Sequence, residues 1–335
     1  MEFGVDFFPT ADPVRKSAAT YYDECLQLVE LAEASGFAHV RCGAPRTSPY
    51  GALSPDPVVL LTAAAQRTGR IRLVADLLLS AAAFAPGETA ARLAVLDHLS
   101  QGRLDVALGW QPDHDGDDGG GGALFAAVEA CTGLWAHSPA PGAAPGSGAG
   151  GGLPLPEQRP HPPVFVTTAA SVQACARAGA DGHHLQLAPA AWSREELSAL
   201  IAAYRAGGRR AQRAPGRVHL TYTCYVGRSR EVVLAGARHC EQREAARTAG
   251  RRPAAGVRDV GAALAEHTVL AGTPGEVRAQ IETIGSWYGS DVCLSLRFNP
   301  GHLPYGRAVR AMELFAAQVA PRLAGGVPSG RAVAA

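Results

Sequence analysis

Short apolar runs alternate with amphipathic stretches along almost the whole chain. The apolar runs have the length of buried strands, and the amphipathic stretches repeat apolar residues with the period of a helix. This pattern predicts strands at residues 2–8, 39–42, 70–80, 103–110, 164–168, 184–189, 218–226 and 292–298. It predicts helices at residues 21–36, 57–68, 86–99, 123–135, 171–179, 195–206, 230–247, 274–288 and 304–323. Apolar strands that alternate with helices are typical of a parallel sheet covered by helices.

Eight strands that alternate with helices predict a closed (β/α)8 TIM barrel, because eight parallel strands close such a barrel. The rival fold is an open doubly wound sheet, whose first strand leads into a glycine-rich turn that binds a dinucleotide. Residues 7–10 read Phe-Phe-Pro-Thr, so the chain lacks that turn. We therefore expect one α/β barrel over residues 1–323, with its function on the loops at the carboxyl ends of the strands.

Two low-complexity segments interrupt the pattern. Residues 113–122 read DHDGDDGGGG, and residues 138–152 consist mostly of glycine, alanine and proline, so neither segment offers side chains to a core. We expect both to be mobile insertions in a single domain, and residues 324–335 to be a flexible tail. The aspartates of the first segment lack the spacing and the terminal glutamate of a calcium loop, and we predict no metal site.

Composition and charge narrow the classes of function. The chain has 335 residues with 31 basic and 30 acidic side chains. This balance argues against binding to nucleic acids or anionic membranes, because both attract proteins with a basic face. No apolar run approaches the roughly 20 residues of a membrane helix. The seven cysteines are widely spaced and form no CxxC pair, which argues against a disulfide framework. We expect a cytoplasmic protein that binds neither nucleic acid nor membrane.

Several motifs carry a specific resemblance to one family. They are LDHLSQGRLDV at 96–106, RPHPPVFV at 159–166, AGTPGEV at 271–277 and MELFAAQVAPR at 312–322. With these motifs the chain resembles the bacterial luciferase-like monooxygenases, and among them a subgroup of natural-product biosynthesis. The resemblance implies a luciferase-like barrel that forms a homodimer. It also implies reduced FMN, supplied by a separate flavin reductase, that captures O2 as a peroxyflavin at the barrel mouth.

The resemblance breaks down at the mouth, which is the end of the barrel where the strands have their carboxyl termini. Such relatives carry Glu-His after strand two and histidines after strand three, whereas this chain has Ala44-Pro45 and Phe84-Ala85. Trp110 replaces the arginine with which luciferase holds the flavin phosphate, and residues 113–122 replace the segment that roofs the substrate. Four polar contributions to one site are therefore missing together.

The loop after strand five is the strongest remaining candidate for cofactor binding. Thr167, Thr168 and Ser171 open a predicted helix, and hydroxyls and free backbone N–H groups at a helix N-terminus bind phosphate. The alternative is that Ser171 only caps the helix. The other candidates for flavin contact follow strands four and eight: Trp110, Gln111 and Asn299.

Cys42, Arg46 and Arg297 are the candidate catalytic residues. A thiol at the end of strand two becomes nucleophilic if a cation such as Arg46 lowers its pKa. The alternative is a buried thiol beside a solvated arginine. Arg297 ends strand eight, where relatives often carry glutamine, and there it replaces part of the missing positive charge or binds an anionic substrate. The alternative for Arg297 is an ion pair at the barrel rim.

Two functions remain open at this point. The first is a flavin-dependent monooxygenase of specialised metabolism, an enzyme that oxidises a small or carrier-protein-bound substrate with O2 and reduced FMN. The second is a barrel that has lost its FMN site. Such a barrel is either a cofactor-free biosynthetic enzyme, for a cyclisation or an elimination, or a non-catalytic partner subunit. The resemblance favours the first function, and the missing mouth residues favour the second.

Overall fold

The computed structural model describes residues 1–7, 16–43, 56–81, 84–110, 121–136, 154–167, 171–233, 269–299 and 303–323. Its strands are β1 (Glu2–Phe7), β2 (His39–Gly43), β3 (Arg72–Leu79), β4 (Leu104–Trp110), β5 (Val164–Thr167), β6 (His184–Leu187), β7 (Val218–Val226), β8 (Val269–Gly272) and β9 (Cys293–Arg297). Its helices are α1 (Ala18–Ala34), α2 (Pro57–Arg67), α3 (Pro86–Leu99), α4 (Gly121–Ala136), α5 (Val172–Asp181), α6 (Arg194–Arg210), α7 (Pro274–Tyr288) and α8 (Tyr305–Leu314). A 3-10 turn (Pro189–Ala191) precedes α6, and a π-helical turn (Phe315–Val319) extends α8.

Eight parallel strands close into a ring in the order β1-β2-β3-β4-β5-β6-β7-β9, and β9 pairs back onto β1. Val5 of β1, for example, is level with Val40 of β2 on one side and with Leu296 of β9 on the other. The strands that alternate with helices therefore form a closed barrel, and the predicted (β/α)8 fold is confirmed.

A ninth strand, β8, lies outside the ring and was not predicted. It pairs in parallel with the carboxyl half of β7, from Thr223 beside Val269 to Val226 beside Gly272. The strand comprises only four residues, which is the lower limit at which an apolar run predicts a strand. Its effect is to lengthen the sheet where β7 extends beyond β9.

Local signals determine where the helices begin. Ser17 and Ser171 each accept a backbone N–H bond at the start of α1 and α5. A capping box, formed by Ser193 and Glu196, begins α6, and Thr273 forms the equivalent with Glu276 at α7. The predicted helices that the structure describes in full therefore occur within a few residues of their expected bounds.

Several expectations concern residues at the margins of the described structure. Helix α4 begins at Gly121, so Gly121 and Gly122 belong to the helix and not to the insertion predicted at 113–122. Residues 230–233 are helical, whereas the rest of the helix predicted at 230–247 lies outside the described residues. The same holds for residues 113–120, 138–152 and 324–335. Among the helices that the structure describes, none is both long and apolar enough to cross a membrane.

The buried apolar side chains of the barrel form two separate clusters. One large hydrophobic core fills the layer between the strands and the surrounding helices. Inside the ring, by contrast, the apolar cluster is small and consists of Val74, Ala107 and Phe165. Branched apolar side chains usually fill the inside of such barrels, so the polar residues found here at other inward positions need a separate explanation.

A histidine stack occupies the middle of the barrel, and Gly4 makes room for it. A Cβ at Gly4 would lie 2.3 Å from Nε2 of His39, so any larger residue would displace the ring. Nε2 of His39 is hydrogen-bonded to the Ser295 hydroxyl at 2.7 Å, and the ring stacks on His219 with centroids 4.5 Å apart. Phe165 continues the stack, 4.3 Å from His219.

An ion cluster lies at the amino-terminal end of the barrel. Arg72 contacts Asp105 at 2.6 Å and Arg217 contacts the same carboxylate at 3.2 Å. Asp105 is fully buried and both arginines are about one-third exposed. This end of a (β/α)8 barrel contributes to stability, and active sites lie at the opposite end, where the strands have their carboxyl termini.

Candidate active site

Five polar side chains from five strands meet inside the barrel near its mouth, and we call them the buried ion network. Each lies in the middle or the carboxyl-terminal part of its strand, and its side chain points into the ring: Asp6, Arg41, Asp76, Gln186 and Arg297. Arg41 is hydrogen-bonded to both aspartates, and Arg297 forms an ion pair with Asp6. Gln186 donates from Nε2 to Oδ2 of Asp76 at 3.2 Å. The network thus links β1, β2, β3, β6 and β9.

Pairing makes this burial of charge possible. Two arginines and two aspartates balance, and removing one partner of such a buried pair costs about 3–5 kcal/mol. Burial lowers the pKa of Arg41, but Asp76 and Asp6 more than compensate, so the net pKa is raised and the guanidinium stays charged. For Asp76 burial is the dominant influence, and it raises the pKa of the carboxyl although Arg41 opposes this.

Asp76 is the member of the network that lies closest to the open end of the barrel. Along the inward face of β3, Val74 is fully buried, the Asp76 side chain is 12% exposed and Leu78 is 41% exposed. Exposure therefore increases toward the carboxyl end of the strand. Among the described residues, Oδ2 of Asp76 accepts hydrogen bonds from Arg41 and Gln186, whereas Oδ1 accepts none. One carboxylate oxygen thus remains available beside the mouth.

The predicted cofactor loop is described at two of its three residues. The hydroxyl of Thr167, at the end of β5, is buried and has no hydrogen-bond partner. Ser171 caps α5 by accepting from the backbone N–H of Ala174 at 3.1 Å, which was the alternative interpretation for this residue. Thr168 lies outside the described residues. The loop therefore offers one orphan hydroxyl next to a helix N-terminus.

Two aromatic side chains, Phe84 and Trp110, lie near the carboxyl ends of β3 and β4. Phe84 and Trp110 are partly exposed, and their rings meet edge to face with centroids 6.1 Å apart. Trp110 ends β4 and is level with Leu79 of β3. Both side chains pack against the hydrophobic core between the strands and the helices, near the carboxyl ends of β3 and β4. Gln111, the next residue, is outside the described residues.

The interpretation of Cys42 as a nucleophile is wrong. Its thiol is fully buried in the hydrophobic core between strands and helices. Burial raises the pKa of Cys42 well above its usual value, so the reactive thiolate is disfavoured. The alternative, a buried thiol that packs as a small apolar group, agrees with the structure. Arg46, its proposed activating cation, lies outside the described residues.

The two candidates at the end of the last barrel strand are both buried. Arg297 is 4% exposed, and its ion pair with Asp6 places it inside the barrel rather than at the exposed rim. Asn299 donates from Nδ2 to the sulfur of Cys25 in α1 at 3.6 Å. A contact of either residue with flavin or substrate stays a prediction.

Four network members were not predicted from the sequence, because they lie within strands and not on the loops at the barrel mouth: Asp6, Arg41, Asp76 and Gln186. A usable signal exists in the strands themselves. Each strand carries a polar residue near its carboxyl end, and three of the five carry a second polar residue two positions earlier: GVDF, HVRC, LVAD, HLQL and LSLR. Since side chains of a strand alternate between its two faces, a polar residue repeated at that level in several strands indicates a shared interior site.

Comparison with known proteins supports a single assignment. The model of the family described as luciferase-like monooxygenase matches residues 1–290. Among solved structures, monooxygenase RslO1 from Streptomyces bottropensis is 35% identical, with a TM-score of 0.84 over 97% of this chain and 100% of that chain. No curated protein matches the chain.

More distant structures share the fold. The oxygenating constituent of 3,6-diketocamphane monooxygenase from Pseudomonas putida, in complex with FMN, has a TM-score of 0.72 at 17% identity, over 96% of this chain and 98% of that one. EDTA monooxygenase from Chelativorans sp. BNC1 has a TM-score of 0.67 at 19% identity, over 96% and 93%. The family match and the similarity to RslO1 both extend over most of the barrel just described. The chain therefore belongs to the luciferase-like monooxygenase family.

Proposed function

We propose that this protein is an FMN-dependent monooxygenase of bacterial natural-product metabolism. It oxidises a small or carrier-protein-bound substrate with O2 and with reduced FMN that a separate reductase supplies. The observation that carries the proposal is the 35% identity to a Streptomyces monooxygenase over essentially the whole of both chains. A relative of the same fold is described in complex with FMN, which supports this choice of cofactor.

The residues after β5 suit the phosphate of FMN. The orphan hydroxyl of Thr167 offers a hydrogen bond, and the N-terminus of α5 offers partial positive charge. Reduced FMN, when bound, supplies the electrons that activate O2 for transfer of one oxygen atom to the substrate. The chain supplies the surroundings: the exposed Leu78 on the inward face of β3 and, deeper on the same face, Asp76, which the network fixes.

FMN titration of the wild-type protein and two matched variants tests the proposal. Thr167→Val removes the orphan hydroxyl at the mouth, whereas Thr221→Val removes an equally unpartnered hydroxyl deeper in the barrel on β7. We expect the first change to weaken FMN binding roughly 2- to 12-fold, the effect of one hydrogen bond, and the second to leave it unchanged. Turnover is then measured with a flavin reductase present.

A protein that binds neither oxidised nor reduced FMN at tens of micromolar contradicts the proposal. That result would favour the second candidate, a flavin-free barrel that acts as a cofactor-free enzyme or as a partner subunit. One observation favours this candidate: Arg41 and Arg297, the arginines of the described ion network, are both committed to carboxylates. They are therefore not free to hold a phosphate.

A further inference from the structure

We propose that Asp76 determines which substrates the barrel accepts, and that it selects an uncharged molecule that carries a hydroxyl group. The inference rests on the proposed function, because it takes the molecule that enters the barrel mouth to be the one that is oxidised. It adds to that function a specificity-determining residue and the chemical class of the substrate.

One oxygen of the Asp76 carboxylate is open to the mouth. Oδ2 accepts hydrogen bonds from Arg41 on the neighbouring strand β2 and from Gln186 on β6, across the ring. Oδ1 has no partner among the described residues. The same part of the barrel contains buried atoms without a partner, such as Oε1 of Gln186 and the Thr167 hydroxyl, but Oδ1 of Asp76 is not one of them. Solvent therefore reaches Oδ1, and so does a ligand that enters the mouth.

The two bonds to Oδ2 also fix the polarity of the open position. The Arg41 guanidinium has only donors, and the Gln186 amide must present its nitrogen to a carboxylate, so Oδ2 faces N–H groups. Oδ1 therefore faces the mouth as an acceptor. Its ligand must bring a hydrogen-bond donor, because a ketone, ether or carboxylate oxygen would meet a second acceptor and remain unpaired.

The charges around Asp76 favour an uncharged ligand. Arg41 faces Asp76 directly, Asp6 is the second carboxylate on Arg41, and Arg297 is paired with Asp6. The charges of these two arginines and two aspartates sum to zero. An ionic ligand would therefore add an uncompensated charge beside a network whose members are mostly or fully buried. A hydroxyl group supplies a donor for Oδ1 without adding a charge.

The wall above Asp76 suits the apolar part of such a molecule. Leu78 lies one pleat, about 7 Å, above Asp76 on the inward face of β3, and it is 41% exposed. Gly109 of β4 is level with Leu78, and a Cβ at Gly109 would lie 3.3 Å from Cδ1 of Leu78. Because Gly109 has no side chain, Leu78 forms the apolar surface here. A carbon skeleton that packs on Leu78 and directs a hydroxyl toward Oδ1 satisfies both residues.

Cyclohexanol and cyclohexanone test the proposal, because they share one carbon skeleton and only the alcohol carries a donor. Titrations followed by the NMR signals of the ligand measure the dissociation constant of each. We expect the wild-type protein to bind cyclohexanol about tenfold or more tightly than cyclohexanone, the effect of a hydrogen bond to a charged group. Leu78→Ala should weaken the binding of both molecules by a similar factor and leave the preference intact.

Asp76→Asn should abolish the preference. Arg41 and Gln186 would hold the oxygen of the new amide, so its NH2 group would take the place of Oδ1 and present a donor to the mouth. Cyclohexanone should then bind at least as tightly as cyclohexanol. Asp181→Asn is the matched control, because it removes the same charge from an exposed position on α5 and should keep the wild-type preference.

If Asp76→Asn does not fold, titration of the folded wild type with acid replaces it. Burial raises the pKa of the Asp76 carboxyl, so the carboxyl takes up its proton in milder acid than usual. The proton would occupy Oδ1, because Oδ2 already accepts two bonds, and the open position would become a donor.

Three results overturn the proposal: wild-type protein that binds neither molecule, wild-type protein that binds both equally, or a preference for cyclohexanol that survives in Asp76→Asn or after protonation of Asp76. FMN binding is measured separately. Loss of the alcohol preference with FMN binding intact therefore overturns this inference alone and not the monooxygenase function.

Discussion

One of the two stacked histidines in the middle of the barrel is buried without a hydrogen-bond partner. His219 is fully buried and neither of its ring nitrogens has a partner among the described residues, whereas His39 is bonded to Ser295. Burial lowers the pKa of His39 to about 4, and it lowers the pKa of His219 well below the usual value. Both rings are therefore neutral at pH 7, and their protonation is coupled to unfolding.

We expect this coupling to make the protein unstable in mild acid. Unfolded histidines take up protons near pH 6.5, whereas folded His39 does so only near pH 4. Stability is therefore full above about pH 6.5 and falls as the pH decreases toward 4, because the unfolded state binds more protons. Each such histidine contributes a slope of about 1.4 kcal/mol per pH unit. His219→Phe should reduce the slope of unfolding free energy against pH by about that amount.

Phe165→Leu is the control for this measurement. Phe165 belongs to the same stack as His219, so its truncation weakens packing without removing a titrating group. Urea unfolding of both variants between pH 4 and 7 separates the two effects. An unchanged slope in His219→Phe would contradict the burial of a neutral imidazole.

The sequence predicted the environment of single residues correctly where the residue type strongly favours burial. Five cysteines lie in apolar runs of the sequence, where a thiol packs as a small hydrophobic group, and the structure buries all five: Cys25, Cys131, Cys175, Cys224 and Cys293. The ion network was missed for a physical reason. Whether Asp76 or Ala75 points into the barrel depends on the phase of strand alternation, which a mostly apolar run does not reveal.

At the scale of elements, α5 and α6 pack unusually closely on the side of β6, the strand that carries Gln186. A Cβ at Gly207 would lie 1.9 Å from the carbonyl oxygen of Ala176, and one at Gly179 would lie 2.1 Å from that of Tyr204. Reciprocal glycines thus let the two backbones touch. This contact helps to define the position of β6 and, through Gln186, the orientation of Asp76.

Gly207→Ala should therefore be destabilising by about 1–3 kcal/mol or more, the cost of overpacking a tight contact. Gly208→Ala is its matched control, because a Cβ there meets its nearest neighbour at an ordinary 3.5 Å. Alanine replaces glycine inside a helix at a gain of roughly 0.5–1 kcal/mol, so the control should be neutral or stabilising. Urea midpoints of the two variants measure the difference, and equal midpoints would refute the close approach.

The strands and helices could be predicted from the sequence more completely than the candidate active site could. Apolar periodicity located all eight barrel strands, because burial on both faces makes each strand a recognisable run. The glycines at the α5–α6 contact could not be interpreted in the same way. In a chain with 39 glycines, only the structure shows which of them face another backbone.

At the scale of the whole molecule, we propose that the protein forms a homodimer through α2 and α3. Three apolar side chains are exposed there: Val59 at 67%, Val95 at 46% and Leu99 at 43%. Val95 and Leu99 are four residues apart and therefore share one face of α3. Exposed apolar clusters of this kind mark interaction surfaces.

The double variant Val95→Glu, Leu99→Glu should convert the dimer into a monomer, because two charges would be buried in the interface. Val172→Glu changes an equally exposed valine on α5, 49% exposed, and should leave the dimer intact. Light scattering after size exclusion reports the molar mass of each. A wild-type protein with the mass of one chain rules out the dimer.

The ion pair between Asp6 and Arg297 has a consequence for biosynthesis on the ribosome. Asp6 lies in the first strand of the barrel and Arg297 in the last, so their synthesis is separated by most of the chain. At about 5–20 residues per second, Arg297 leaves the ribosome roughly 15–60 s after Asp6. Until then the growing chain holds a carboxylate that a dry interior disfavours and that still lacks its partner Arg297. The unpaired charge therefore disfavours closure of a partly synthesised barrel before its last strand, β9, has been made.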